Sequence, residues 1–389
     1  MCNKIRLTQF LFLVLAISVP QTWAHGYDGY VSYVCNADST VTFTYIDSTA
    51  WCVSLRGSCM LPKEDLSFAG TQVTKRMREV EKGVWQCTTQ RALTPELYTY
   101  QLIVDGKHRT DPMNPDSIWV RNRRRSVLLI DGTEQTNLYK PAWEQGQVEV
   151  IRFTGENGQR YRMMVYLPYH YQDTVTYPLL FLLHGINGDE RNWVEQGRVR
   201  NILDNLIQQG EIQPVVVVMP RCLLSAPKYE EHVESTNVFN YGEVLRGKFE
   251  VQFYEIEQYV YAHYAVRHTA NAIAGLSCGA RQAANIANRD DSTYAYVGMF
   301  SPVVTKHQLP DIQTDSLLHK RYWVGGGKND WMFLSDARTF ARRLKARGVE
   351  YKYMESKGGH TFANWRIFVT DFMRWAFPMK DDSENNDNQ

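Results

Sequence analysis

The sequence predicts an α/β domain on a mostly parallel sheet, preceded by a small β-sandwich. Three observations predict it. Before Lys140 the chain runs in short alternating stretches split by turn residues. After Lys140, strand-like runs alternate with helical patterns. Within that second part the run Val215 to Val218 reads as a strand covered on both faces. With 389 residues, 44% of them hydrophobic, the chain can bury two cores.

The first part supplies five strands: STVTFTYID, AWCVSLRG, GVWQCTTQ, LYTYQLIVDG and SVLLIDG, with no helix among them. YKPAWEQGQ reads as the joint. The second part supplies seven: MMVYLP, YPLLFLLHG, PVVVVMP, NAIAGLS, YVGMFSP, RYWVGGG and VEYKYMES. The helices between and after them are RVRNILDNLIQQG, FEVQFYEIEQYVYAHY, SDARTFARRLKARG and the stretch around NWRIFVTDFMRWAF. The expected division is a leader over 1–24, a sandwich over 25–140, an α/β domain over 141–378 and a polar tail over 379–389.

Lys4 and Arg6 precede the apolar FLFLVLAISV, which is too short to span a bilayer comfortably, and Ala24 is a small residue suited to cleavage. This pattern predicts export to periplasm, cell surface or medium, without stable membrane insertion. Beyond the leader stand Cys35, Cys52, Cys59, Cys87, Cys222 and Cys278. Export permits disulfides, but the spacing selects no pairing, and free buried thiols fit equally well. No zinc-type spacing is present. A net charge of +1 excludes a global field for nucleic acid. The basic run Arg121, Arg123, Arg124 and Arg125 reads as a solvated strand end.

The chemistry lies in Gly275-Leu276-Ser277-Cys278-Gly279, which follows a strand and opens a helix. That context puts a serine hydroxyl on a sharp turn at the sheet's C-terminal edge. A serine needs a base to take its proton and an acid to orient the base. Asp330, after RYWVGGGKN, and His360, after VEYKYMESKGG, follow in that order, each just past a strand. Taken singly, Asp330 reads as a helix cap and His360 as a loop residue. Their order and shared edge favour the triad Ser277, Asp330, His360. The backbone N–H groups of Cys278 and Ile186 are the expected oxyanion donors. His184 is read as shaping the loop, and the Cys278 side chain as structural, pointing into the helix start. Trp193, Trp331 and Trp365 are candidates for stacking on substrate, although ordinary packing also accounts for each.

YPLLFLLHGINGDERNW, AIAGLSCGARQAANIA, YVGMFSP, WVGGGKND and GGHTFANWR together resemble the putative-esterase family of α/β-hydrolases. That family includes feruloyl, acetylxylan and enterochelin-type esterases. The resemblance spans nearly all of 145–378 and implies the same triad. It departs from the family's G-L-S-M-G-G elbow at Cys278 and Ala280. VTFTYIDSTAWCVSLRG, GVWQCTTQ, LTPELYTYQLIVDG and TDPMNP resemble, more loosely, the Ig-like early-set sandwich related to carbohydrate-binding module family 48. The pair implies a secreted serine esterase acting through an acyl-enzyme on an ester-substituted polysaccharide or oligosaccharide, with no cofactor or metal. Feruloyl or acetyl xylan esters are the expected substrates. The alternatives are a siderophore trilactone esterase, which would profit from a basic rim drawn from Arg191, Arg198 and Arg281, and a catalytically silent glycan-binding protein.

Overall fold

The computed structural model describes residues 29–61, 72–222, 248–289, 293–303 and 319–379. The expected leader, and the expected tail from residue 380 on, lie outside the described residues. The described cysteines are all free thiols.

The first part is a sandwich of two antiparallel sheets. One orders β1 (Tyr33–Cys35), β2 (Val41–Ile46), β6 (Val84–Thr88) and β5 (Arg78–Glu81). The other orders β4 (Val73–Arg76), β3 (Val53–Gly57), β7 (Glu96–Val104), β10 (Arg123–Ile130) and β9 (Ser117–Val120), with β8 (Lys107–Arg109) beside β7. Phe43, Leu55, Trp85, Tyr100 and Leu128 pack in the core between them. The expected strands are β2, β3, β6, β7 and β10. The remaining five are short or largely polar, so alternation does not mark them. One turn of helix, α1 (Glu134–Asn137), was also not expected; a Thr133–Thr136 capping box starts it.

The second part holds one sheet of eight strands in the order β11 (Gln147–Thr154), β12 (Arg160–Leu167), β14 (Val216–Pro220), β13 (Leu179–Leu183), β15 (Asn271–Leu276), β16 (Tyr294–Phe300), β17 (Arg321–Gly327) and β18 (Tyr351–Ser356). β11, β12 and β14 pair antiparallel, and all pairs from β14 to β18 are parallel. β11 is absent from the sequence reading. It is an edge strand with no fully buried residue, so it carries no apolar run.

Helices cover both faces. α4 (Lys248–His263), α5 (Cys278–Ala287) and α6 (Leu334–Ala346) pack on one side. α3 (Val199–Gln208) and α7 (Phe362–Ala376) pack on the other, together with the sandwich residues Leu97, Ile118 and Val127. α3 buries Val199, Ile202, Leu203, Leu206 and Ile207, the one-faced spacing its sequence shows. The contact between the two parts is polar as well as apolar. Buried Arg366 on α7 pairs with Glu96 on β7 at 2.7 Å and donates to the Gln196 carbonyl at 2.6 Å.

Candidate active site

Ser277 lies between β15 and α5 with φ 56 and ψ −120, a backbone conformation rarely held by a non-glycine residue. The strain is held by neighbours. The Ser277 N–H donates to the Phe300 carbonyl at 2.8 Å, and its own carbonyl accepts from Ala280 N–H at 3.2 Å. A Cβ at Gly279 would overlap the His184 carbonyl and lie 2.9 Å from that of Leu183, so only glycine lets α5 start this close to β13. Ala280, Ala283 and Ala284 continue the close approach to the sheet.

Asp330 follows β17 and His360 follows β18, the neighbouring parallel strand. His360 Nδ1 donates to Asp330 Oδ2 at 2.8 Å, with both side chains buried. The other oxygen, Oδ1, accepts from Phe333 N–H at 3.1 Å. Asp330 therefore holds the turn before α6 with one oxygen and the histidine with the other. The His360 ring stands edge-on to Trp365 at 4.9 Å and tilted against Phe333 at 4.8 Å. Ser277, Asp330 and His360 are 4%, 1% and 7% exposed, and all three sit past the C-terminal ends of parallel strands.

The loop after β13 lies against the elbow: a Cβ on Gly185 would come within 3.2 Å of the Ser277 Cβ. His184 holds this loop. Its Nδ1–H donates to the Gly185 carbonyl at 2.7 Å, while Nε2 accepts from Cys222 N–H at 2.9 Å. Burial lowers its pKa and keeps the ring neutral, as those two contacts require. Further along, Asp189 N–H donates to Asn192 Oδ1 at 2.8 Å, and Arg162 pairs with buried Glu190 at 2.6 Å. The sandwich reaches this segment too. Trp119 N–H on β9 donates to Glu195 Oε2 at 3.0 Å on α2 (Asn192–Glu195), and the Trp119 ring carries the Arg191 guanidinium at 5.3 Å.

Cys278 takes the structural place read for it, and two of the three tryptophans take the packing alternative. The Cys278 side chain is buried and packs against Ile186, Val303 and Phe333. Burial pushes the thiol up to about 11, opposed by hydrogen bonding to the Ser277 side chain, the Arg281 charge and the Ile186 and Cys278 amides. Trp193 is 1% exposed, its ring N–H donating to the Leu183 carbonyl at 3.1 Å, so it supports β13 rather than substrate. Trp365 is 5% exposed and donates to Ser301 Oγ at 3.2 Å, so it walls His360. Both were drawn to the interior because their apolar area is large and a protein acceptor takes the ring N–H. Trp331 is 77% exposed, directly after Asp330. It lines an open groove of about 780 Å³ with Lys328, Arg338, Tyr351 and Tyr353.

Asn364 escaped sequence reasoning. It donates to the Gly359 carbonyl at 2.7 Å and accepts from Ser356 Oγ at 2.8 Å, pinning the loop that carries His360. The Gly358-Gly359 pair was its only signal, since a Cβ at Gly358 would overlap Asn364.

The family model described as Putative esterase matches residues 154–374, more than half of the chain. The chain is similar to the endo-1,4-beta-xylanase/feruloyl esterase of Xylanibacter ruminicola, 28% identical over 306 residues, 75% of this chain and 39% of that protein. It is also similar to endo-1,4-beta-xylanase Y of Acetivibrio thermocellus, 37% identical over 82 residues, 21% of this chain and 7% of that protein. The chain thus spans well under half the length of both relatives. Among solved structures, the enterobactin esterase of Shigella flexneri matches with TM-score 0.60 at 16% identity, over 88% of this chain and 95% of that one. The CE1 ferulic acid esterase of Anaeromyces mucronatus matches with TM-score 0.53 at 19% identity, over 61% of this chain and 94% of that one. At these identities the two structures establish a shared fold.

Proposed function

The chain belongs to the Putative esterase family, and from that premise we propose that it is a serine ester hydrolase working through an acyl-enzyme, with Ser277, His360 and Asp330 as its triad. The observation that carries the reading is the Asp330–His360 hydrogen bond at the sheet edge where Ser277 occupies its strained turn. His360 takes the Ser277 proton as the hydroxyl attacks the ester carbonyl. The Ile186 and Cys278 amides hold the oxyanion, and His360 passes the proton to the leaving alcohol. A water, deprotonated by His360, then releases the acid. Asp330 fixes the tautomer with the proton on Nδ1, leaving Nε2 to accept. The raised pKa of Cys278 keeps its thiol protonated near neutrality and supports serine as the nucleophile.

Two substrate classes follow. The architecture favours a phenolic siderophore trilactone, because the likeness to the enterobactin esterase extends over both parts of this chain. The curated relative favours a feruloyl or acetyl ester on plant polysaccharide. Of the two, the architecture gives the trilactone the stronger support. Exposed Trp331, beside the acid and above the groove, suits a sugar face or a phenolic ring. Among the described residues no helix is long and apolar enough to cross a membrane. Export and glycan binding by the sandwich remain part of the polysaccharide proposal.

The test is a side-by-side incubation with enterobactin and with feruloylated arabinoxylan, using Ser277→Ala as the blank. Release of dihydroxybenzoylserine that depends on Ser277 supports the trilactone reading. Ferulate or acetate release that depends on Ser277 supports the polysaccharide reading. If Ser277→Ala retains turnover of every ester tried, the serine mechanism is wrong.

A further inference from the structure

Arg281 is a charged side chain near the elbow that this reaction leaves without a task. It stands on the first turn of α5, three residues after Cys278, so the two side chains share a helix face. Helical Cα–Cβ bonds tilt toward the N-terminus, so the Arg281 side chain leaves its backbone in the direction of the elbow. The Cys278 sulfur lies among Ile186, Val303 and Phe333, and the Arg281 charge lowers its pKa against the larger effect of burial. Arg281 is only 7% exposed, and its Nε and Nη1 have no hydrogen-bond partner among the described residues.

Two other arginines considered for a basic rim are engaged. Arg191 pairs with Asp189 at 2.6 Å and Arg198 with Asp116 at 2.7 Å, so neither forms a free basic rim. Glu250, the acid that α4 brings against α5, accepts from Asn285 Nδ2 at 3.0 Å through Oε1, leaves Oε2 buried without a partner, and forms no ion pair with Arg281 among the described residues. A buried guanidinium without a carboxylate is costly to a fold, and its planar fork fits a carboxylate in two-point contact. The missing partner is therefore sought outside the described protein groups.

We propose that Arg281 binds a carboxylate carried by the substrate, about one helical turn from the reacting carbonyl, and so selects anionic esters over neutral ones. The inference rests on the serine-esterase reading and adds a specificity residue to it. The carboxylate can belong to the acyl part or to the alcohol part of the ester; an intact trilactone and a feruloyl or acetyl ester of a neutral sugar carry none, whereas the linear ester left after the first opening of a trilactone carries one.

The experiment compares kcat/KM within matched pairs. For the acyl side the pair is p-nitrophenyl hydrogen glutarate and p-nitrophenyl valerate. For the alcohol side it is 4-acetoxybenzoate and 4-acetylphenyl acetate. The unmodified protein should prefer the anionic member of at least one pair by about 10-fold or more. Arg281→Gln should abolish that preference, and Arg281→Lys should keep part of it. The ratio is read within each variant, so a general loss of folded protein cancels. Arg281→Met should melt no lower than the unmodified protein, because no protein partner is lost. Equal rates within both pairs, or a preference that survives Arg281→Gln, would overturn the proposal. No turnover of any ester, with no fluorophosphonate label on Ser277, would bring down the serine-esterase reading and this inference with it.

Discussion

His360 and Asp330 meet at 2.8 Å across 30 residues of sequence because β17 and β18 lie side by side and each delivers its residue past the same edge. The carboxylate accepts from Nδ1–H, so the proton-accepting nitrogen is Nε2. Asp330→Asn keeps the size but removes the negative charge and presents an N–H that favours the other tautomer. The expected fall in kcat is roughly 10³–10⁴-fold, measured on p-nitrophenyl acetate. A loss below 10-fold would mean that Asp330 only holds the turn before α6.

Gly279 is a packing requirement of the elbow. Gly279→Ala places a methyl against the His184 and Leu183 carbonyls, backbone atoms that cannot rotate away. The expected cost is roughly 3 kcal/mol, with activity lost in proportion to the displaced Ser277. Urea unfolding of the variant, alongside fluorophosphonate labelling, measures both effects.

Glu96 ties the sandwich to the helix behind His360. Glu96→Ala leaves the buried Arg366 guanidinium with the Gln196 carbonyl and the Tyr139 ring but no counter-charge. The expected destabilisation is about 3 kcal/mol. Restoring the charge as Glu96→Asp should recover part of it. Calorimetry showing no change would mean that the pair adds nothing to the contact.

The Cys278 thiol should resist alkylation near neutral pH. The thiolate is the reactive form, and a pKa pushed up to about 11 means that its population falls tenfold for each pH unit below that value. Iodoacetamide labelling of the peptide containing Cys278 should therefore be negligible at pH 7.5 and climb steadily toward pH 11. Rapid labelling at pH 7.5 would show a thiolate in the site and reopen the identity of the nucleophile.

The sequence by itself determined the class of fold and singled out Ser277, Asp330 and His360, the residues of the proposed triad. Both depend on local signals: β-branched runs such as Val215 to Val218, the small residues around Ser277, and acid and base each placed just after a strand. It missed β11, because a polar edge strand shows no apolar run. It left Trp193 and Trp365 open between stacking on substrate and ordinary packing, because nearness in sequence carries no information about burial; both are interior. The tertiary structure decided what long-range contacts decide. His184 is locked by the Cys222 amide, Asn364 pins the His360 loop, and Arg191 and Arg198 are neutralised by Asp189 and Asp116. Arg281 alone of those three arginines lacks a carboxylate partner among the described residues. Whether a charge is paired is a matter of distance in space, and only the folded chain sets that distance.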